Sequence, residues 1–168
     1  MNRFLLFARY ALAAALVLPM GAQAWTIEGQ VMAIQGGDTL RVRDDRHVTH
    51  TVHVAGVDAP ARGQPHYGAA ETTLRETAFQ KYVIVQGNTT PGKSSVRQGT
   101  VRTVAGDVGQ ILLEQGAVWF NRADVADLSV EQRKAYGEAE EQARLRRIGL
   151  WRPPNPIPPW EYRAGRRK

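Results

Sequence analysis

Three segments near the start of the chain constrain the fold most, because their composition or their alternation is typical of strands. Ile27 to Ile34 mixes β-branched and small residues and stops at Gly36-Gly37, as a strand does when it enters a tight turn. Thr39 to Arg43 alternates strictly, and so does His47 to Val54. Since successive side chains of a strand point to opposite faces, these segments predict a three-stranded meander.

Further elements are predicted from helical spacing, turn residues and capping signals. The first three are a helix through Ala70, Leu74 and Ala78, a strand at Lys81 to Val85 and a loop from Gln86 to Ser95. A strand at Gly99 to Val104 follows, and then a helix marked by Val108, Ile111 and Leu112 that ends at Gly116. A last helix begins at a Ser129/Gln132 capping box and stops at Gly149. Five strands and three α-helices indicate an α+β, mainly β, fold. A five-stranded OB-type β-barrel has this composition, and so do other α+β arrangements.

The N-terminal segment has the pattern of a secretory signal. Met1 to Ala24 contains two arginines, the apolar run Ala11 to Leu18 and the small-residue exit Ala22 to Ala24. A membrane anchor is the alternative, but a span needs about 20 apolar residues, and this run is shorter. We therefore predict a signal peptide at 1–24, a mature chain that starts at Trp25, no membrane span after cleavage, and a periplasmic or secreted location.

Composition limits the partners and the means of stabilisation. Cysteine is absent, so neither disulfides nor thiolate metal sites are available. The formal net charge is +6, and many of the basic residues cluster near the C-terminus: Arg144, Arg146, Arg147, Arg152, Arg163, Arg166, Arg167 and Lys168. Such a cluster favours phosphate polymers or anionic envelope surfaces, although a solvated helix end has the same composition. We expect a monomer with one domain at 25–152 and a Pro-rich basic tail at 153–168, which packs on the domain or extends from it.

Three stretches occur in order along this chain and resemble the staphylococcal-nuclease-like (thermonuclease) family. The first two are Gly36-Gly37-Asp38-Thr39-Leu40 and Val54-Ala55-Gly56-Val57-Asp58-Ala59-Pro60, the latter followed by Gln64-Pro65 and Tyr67-Gly68. The third combines Asp107-Val108, Glu114 to Trp119, Gly149-Leu150-Trp151 and Pro158 to Arg163. The resemblance implies a five-stranded barrel with three helices and an exported enzyme that cuts DNA and RNA with Ca²⁺.

The resemblance also implies a metal site, and its ligands have counterparts here. Asp38 and Asp58 match the two metal carboxylates of the family, and the carbonyl of Ala59 matches its backbone ligand. Calcium prefers several oxygen ligands of this kind. The alternative is that Asp38 caps the Gly-Gly turn and Asp58 caps the loop before Pro60.

The catalytic residues of the family are only partly present. The general base is replaced by Ala61, and the phosphate-clamping arginine of the third strand, five residues before Asp58, is replaced by His53. A histidine is mostly neutral at neutral pH, so the positive charge there becomes conditional, and His53 can equally be a surface residue. The second clamp matches Arg97 best, or Arg102 with a different gap; either can be a solvated strand arginine.

The predicted function follows from these matches and losses. Arg102, Tyr67 and Trp119 are candidate nucleic-acid-binding residues, since aromatic rings beside arginines stack with bases; the alternative is that such rings close a core. We predict a protein of the cell envelope that binds DNA or RNA and whose Ca²⁺-dependent cleavage is impaired or lost. The alternatives are a functional Ca²⁺-dependent endonuclease and a non-catalytic binder of other anionic envelope polymers.

Overall fold

The structure is a computed structural model that describes residues 24–88 and 95–165. The predicted signal peptide, except Ala24, residues 89–94 of the predicted loop and residues 166–168 of the predicted tail lie outside these ranges. The elements in chain order are β1 (Trp25–Ile34), β2 (Thr39–Asp44), β3 (Thr49–Val54), β4 (Val57–Asp58), α1 (Tyr67–Ala78), β5 (Tyr82–Gly87), β6 (Val96–Thr103), β7 (Gly106–Asp107), α2 (Val108–Glu114), β8 (Trp119–Phe120), α3 (Val130–Leu145), a 3₁₀ turn (Gly149–Trp151) and α4 (Pro159–Gly165).

The predicted barrel is confirmed as a closed, mixed, five-stranded barrel. The predicted meander is present, because β1 pairs with β2 and β2 pairs with β3, both antiparallel. The first half of the long strand β1 pairs with β5, and β5 pairs with β6. A parallel pairing of β3 with β6 closes the barrel. The two-residue strands β4 and β8 form a separate small ladder beside it.

Alternating burial along the strands explains why these segments form a barrel. In β1 the side chains of Ile27 and Val31 are buried, while Glu28 and Gln30 between them are exposed. The buried strand residues join one core with the apolar faces of the helices, including Leu74 of α1, Leu112 of α2 and Tyr136 of α3. The helix α3 begins where predicted, and the structure shows both hydrogen bonds of its capping box at Ser129 and Gln132.

The C-terminal tail contains a fourth helix, so the predicted number of three helices is wrong. This helix, α4, begins at Pro159 of the predicted tail. Proline is favoured in the first turn of a helix, because its missing N–H would be unpaired there in any case. Within residues 24–88 and 95–165, no helix has both the length and the apolar character of a transmembrane span.

Candidate functional site

Asp38 lies in the turn between β1 and β2, and close packing fixes its position. A Cβ atom on the neighbouring Gly37 would lie 2.5 Å from the Cβ of Ala70 and 2.8 Å from that of Ala59, so only glycine allows this approach. The carboxylate of Asp38 accepts hydrogen bonds at both oxygens. Thr39 Oγ1 donates to Oδ1 at 2.8 Å, and the backbone N–H of Ala59 donates to Oδ2 at 2.8 Å.

Asp58 is buried in the small β4–β8 ladder, where its backbone pairs with that of Trp119. Its carboxylate forms two hydrogen bonds with Arg163 of α4, Nη1 to Oδ1 at 3.1 Å and Nη2 to Oδ2 at 2.6 Å. These hydrogen bonds raise the pKa of Arg163. Partial burial of the guanidinium lowers this pKa, and the negative charges of Asp58 and Asp38 raise it further. The guanidinium is therefore a permanent cation at this acid.

His53 lies beside the first of the two acids. Its Nδ1 atom is 3.6 Å from Oδ1 of Asp38 and 3.3 Å from Oγ1 of Thr39. Residue 53 pairs with Thr39 across β2 and β3, so the strand register itself brings the histidine to the Gly-Gly turn. The structure thus places His53 with Asp38, Thr39 and Ala59 in one cluster.

The loop after Asp58 is held by the C-terminal tail. The side chain of Gln64 accepts the N–H of Ala61 at 2.9 Å and donates to the carbonyl of Ile157 at 2.6 Å. The hydroxyl of Tyr162 donates to the carbonyl of Gly63 at 2.8 Å. Position 61, where the resemblance expects a general base, is therefore part of a loop fixed from both sides, and its methyl group cannot accept a proton.

A cleft of about 550 Å³ opens beside Asp58, and arginine and aromatic side chains line it. Arg122, Arg144 and Arg163 contribute to its wall, together with Trp119 and Trp160. The fully buried carboxylate of Glu140 orients two of these arginines, with Arg122 at 3.0 Å and Arg144 at 3.3 Å. It also accepts the backbone N–H of Phe120 at 2.9 Å. The cleft thus has cations held in place by buried acids.

The two arginines proposed as the second clamp lie elsewhere. Arg97 stacks over the ring of Trp25 at 5.4 Å and lines a different cleft, together with Asp44 and His50. Arg102 lines a third cleft, near Asp107. Among the contacts of the described residues, none joins either arginine to Asp38 or Asp58.

The two aromatic candidates are both close to the acidic pair. Tyr67 begins α1, and its hydroxyl would lie 3.9 Å from a Cβ atom on Gly36, in the turn before Asp38. Trp119 is buried, and its ring contacts Trp151 and Trp160 edge-on, at centroid distances of 4.4 and 5.9 Å. Its role in packing is therefore evident, although one edge also lines the cleft.

The sequence patterns do not indicate a role for Arg122, and they include Arg144 and Arg163 only as members of the basic cluster near the C-terminus. A signal for Arg163 was available, because Pro159 is a favoured first helical residue, and in a helix that starts there Trp160 and Arg163 lie three residues apart on one face. No local sequence pattern identifies Asp58 as the partner of Arg163, because the two residues are separated by 105 positions.

The resemblance implies Ca²⁺ at Asp38, Asp58 and Ala59, and the donor arrangement can be tested against it. All four carboxylate oxygens of the two aspartates accept hydrogen bonds from the protein. Arg163 binds both oxygens of Asp58 and places a full positive charge there, which repels a second cation. In this arrangement the residues do not fit a calcium site.

A closed five-stranded barrel with this strand order defines a protein of the OB-type barrel class. The chain belongs to the staphylococcal-nuclease-like family. The family model described as staphylococcal nuclease homologue matches residues 51–153.

Relatives of known name match over most of their length. The chain is 30% identical to micrococcal nuclease of Shigella flexneri, over 91% of this chain and 90% of that protein. It is 30% identical to protein ParB of Escherichia coli, over 91% and 89%, respectively. An uncharacterized endonuclease of Haemophilus influenzae is 31% identical, over 80% of this chain and 71% of that protein.

Proposed function

We propose that this chain binds DNA or RNA through its phosphates at the cleft beside Asp58, and that Ca²⁺-dependent phosphodiester cleavage is impaired or lost. The observation that carries the proposal is the combination of a cleft with three oriented arginines and an alanine at position 61. A missing general base alone costs about 10²–10⁴-fold in rate. Binding needs no proton acceptor and is therefore retained.

Each element of the cleft has a chemical role in this proposal. Arg122, Arg144 and Arg163 supply fixed cations for phosphate oxygens, for which the planar guanidinium is well suited. Trp160, a residue that is 40% exposed, presents a ring on which a base can stack. The bonds of Glu140 and Asp58 to these arginines keep the side chains ordered before a ligand arrives, which lowers the entropic cost of binding.

Binding to a fluorescein-labelled single-stranded oligonucleotide is expected to depend strongly on salt. Three phosphate contacts predict a slope of log affinity against log salt of about −2, or roughly a 20-fold loss between 50 and 200 mM salt. Fluorescence anisotropy at several salt concentrations measures this slope. A slope near zero, or no binding, contradicts the proposal. Equal competition by an anionic glycan and by DNA would instead favour a binder of other anionic envelope polymers.

A functional Ca²⁺-dependent endonuclease is the second candidate. It is favoured by the similarity to micrococcal nuclease of Shigella flexneri over 90% of that protein's length. Single-stranded and duplex DNA incubated with Ca²⁺ distinguish the two candidates, with the Asp38→Ala Asp58→Ala variant as the control. A rate above that control supports the endonuclease. An equal rate supports the loss of Ca²⁺-dependent cleavage.

We also propose that the protein is exported, on the pattern of residues Met1 to Ala24. The product recovered from the periplasmic fraction or the medium is then expected to begin at Trp25. N-terminal sequencing of this product is the measurement. A product that retains Met1 in the cytoplasmic fraction contradicts export and leaves the binding proposal unaffected.

A further inference from the structure

The contact between Arg163 and Asp58 pairs an exposed cation with a buried acid. The side chain of Asp58 is 9% exposed, whereas that of Arg163 is 46% exposed. Two parallel charge-assisted hydrogen bonds join them, at 3.1 and 2.6 Å, which is the strongest geometry available to these two groups. Asp58 therefore fixes one edge of the guanidinium, while much of the side chain remains accessible from the cleft.

The tail is held in place independently of this ion pair. The side chain of Gln64 donates to the carbonyl of Ile157 at 2.6 Å, and the hydroxyl of Tyr162 donates to that of Gly63 at 2.8 Å. The ring of Trp160 lies edge-on against Trp119 at 5.9 Å. These contacts involve Ile157, Trp160 and Tyr162, which all precede Arg163, so a docked segment brings its side chain to Asp58.

Arg163 has donors left for a ligand. A guanidinium carries five N–H groups, and the two hydrogen bonds with Asp58 use two of them. Arg163 lines the same cleft as Arg122 and Arg144, so an anion in this cleft meets three guanidinium groups. The positive charge beside Asp58 is thus provided by the protein's own chain.

We propose that Arg163 takes the place of a divalent cation at Asp58 and binds a nucleic-acid phosphate through its free N–H groups, so that phosphate binding needs no Ca²⁺. Asp58 is then a positioning residue for Arg163. This inference rests on the proposed function for its ligand. Its first part, the replacement of the cation, concerns only Arg163 and Asp58.

A calcium titration of the full chain tests the replacement without any nucleic acid. Isothermal titration calorimetry compares the unmodified protein with Arg163→Gln, which removes the charge and keeps most of the stem. We expect Arg163→Gln to bind Ca²⁺ at least about tenfold more tightly, because both oxygens of Asp58 become available. Equal affinities of the two proteins overturn the replacement.

Oligonucleotide binding in EDTA tests the phosphate contact. We expect the unmodified chain to bind equally well in EDTA and in Ca²⁺, and Arg163→Gln to bind about tenfold more weakly in EDTA. Arg163→Lys keeps the charge but loses the bidentate geometry, so its affinity should lie between those of the unmodified chain and Arg163→Gln. Arg146→Gln removes the same charge from α3's exposed end, outside the cleft, and should change the affinity less than twofold.

The outcomes separate the inference from the proposed function. Binding that requires Ca²⁺, or an Arg163→Gln affinity equal to that of Arg146→Gln, overturns the phosphate role of Arg163 while nucleic-acid binding stands. Absence of binding by the unmodified chain overturns the proposed function and the phosphate role together, and the calcium titration then decides the replacement alone. Circular dichroism of each variant verifies the fold, and Arg163→Lys decides the phosphate role if Arg163→Gln does not fold.

Discussion

A variant that combines Ala61→Glu, His53→Arg and Arg163→Gln is expected to cut DNA with Ca²⁺ at least about 100-fold faster than the unmodified protein. A positioned general base contributes about 10²–10⁴-fold. Position 61 lies in a loop held by the hydrogen bonds of Gln64 and Tyr162, so a new carboxylate is carried by an ordered backbone. An arginine at position 53 supplies a permanently charged, bidentate guanidinium beside Asp38, where the histidine now lies.

The third substitution is needed because of the contact between Arg163 and Asp58. While Arg163 occupies both oxygens of Asp58, the acid is not free to serve as the resemblance implies. We therefore expect Ala61→Glu with His53→Arg alone to gain less activity than the triple variant. Cleavage of a fluorophore-quencher oligonucleotide gives initial rates for both variants.

The matched control for the base is the triple variant with Ala61→Gln in place of Ala61→Glu. Glutamine has the same size and shape as glutamate but cannot take up a proton at neutral pH. We expect the glutamine version to stay within about tenfold of the unmodified protein, since it lacks the base. If the glutamate and glutamine versions cut at the same rate, the alanine at position 61 is not what limits cleavage.

Local pattern was sufficient for the five barrel strands and most helices, because their burial repeats along the sequence. The meander, the capping box at Ser129 and the helix through Leu74 all appear in the structure. The strand predicted at Gly99 begins earlier, at Val96. Its parallel pairing with β3 is a contact between distant segments, and no local period reports such a pairing.

The candidate site was predicted only in part, because local patterns do not report contacts between distant segments. Asp38 and His53 come together because neighbouring strands fix their register. The cations that line the cleft are brought in by α3, α4 and the segment after β8, and long-range packing decides which arginines reach it. The cluster of basic residues near the C-terminus indicated the charge, but could not distinguish Arg163 on Asp58 from Arg146 on an exposed helix end.

Gly149→Ala is expected to destabilise the protein by about 3–5 kcal/mol, which is large for a single added methyl group. Gly149 has φ of +54°, and its Cβ would lie 2.2 Å from the carbonyl oxygen of Gly116 and 2.8 Å from that of Gln115. A left-handed conformation costs a non-glycine residue about 1–2 kcal/mol. The clash with two backbone oxygens adds to this, because no side-chain rotation can relieve it.

The contact that the methyl group of Gly149→Ala would disturb joins the end of α2 to the turn after α3. The N–H of Leu150 donates to the carbonyl of Gly116 at 2.8 Å, and Leu150 and Trp151 pack in a small cluster with Trp119 and Ala143. Since Trp119 also supports Trp160 of the tail, a shift at Gly149 should loosen the segment that carries Arg163. We therefore expect weaker oligonucleotide binding by the folded fraction of this variant as well.

Gly68→Ala is the matched control for this substitution. Gly68 lies in α1, and a Cβ atom there meets nothing within 4 Å. Alanine is favoured over glycine in a helix by roughly 0.5–1 kcal/mol, so the same chemical change should stabilise the protein slightly. Urea unfolding of the three proteins gives the free energies, with the midpoints compared at equal slope. A loss below about 1 kcal/mol for Gly149→Ala would mean that the turn between α3 and the tail can move away from Gly116 at little cost, and the tail would then not be held rigidly at Asp58.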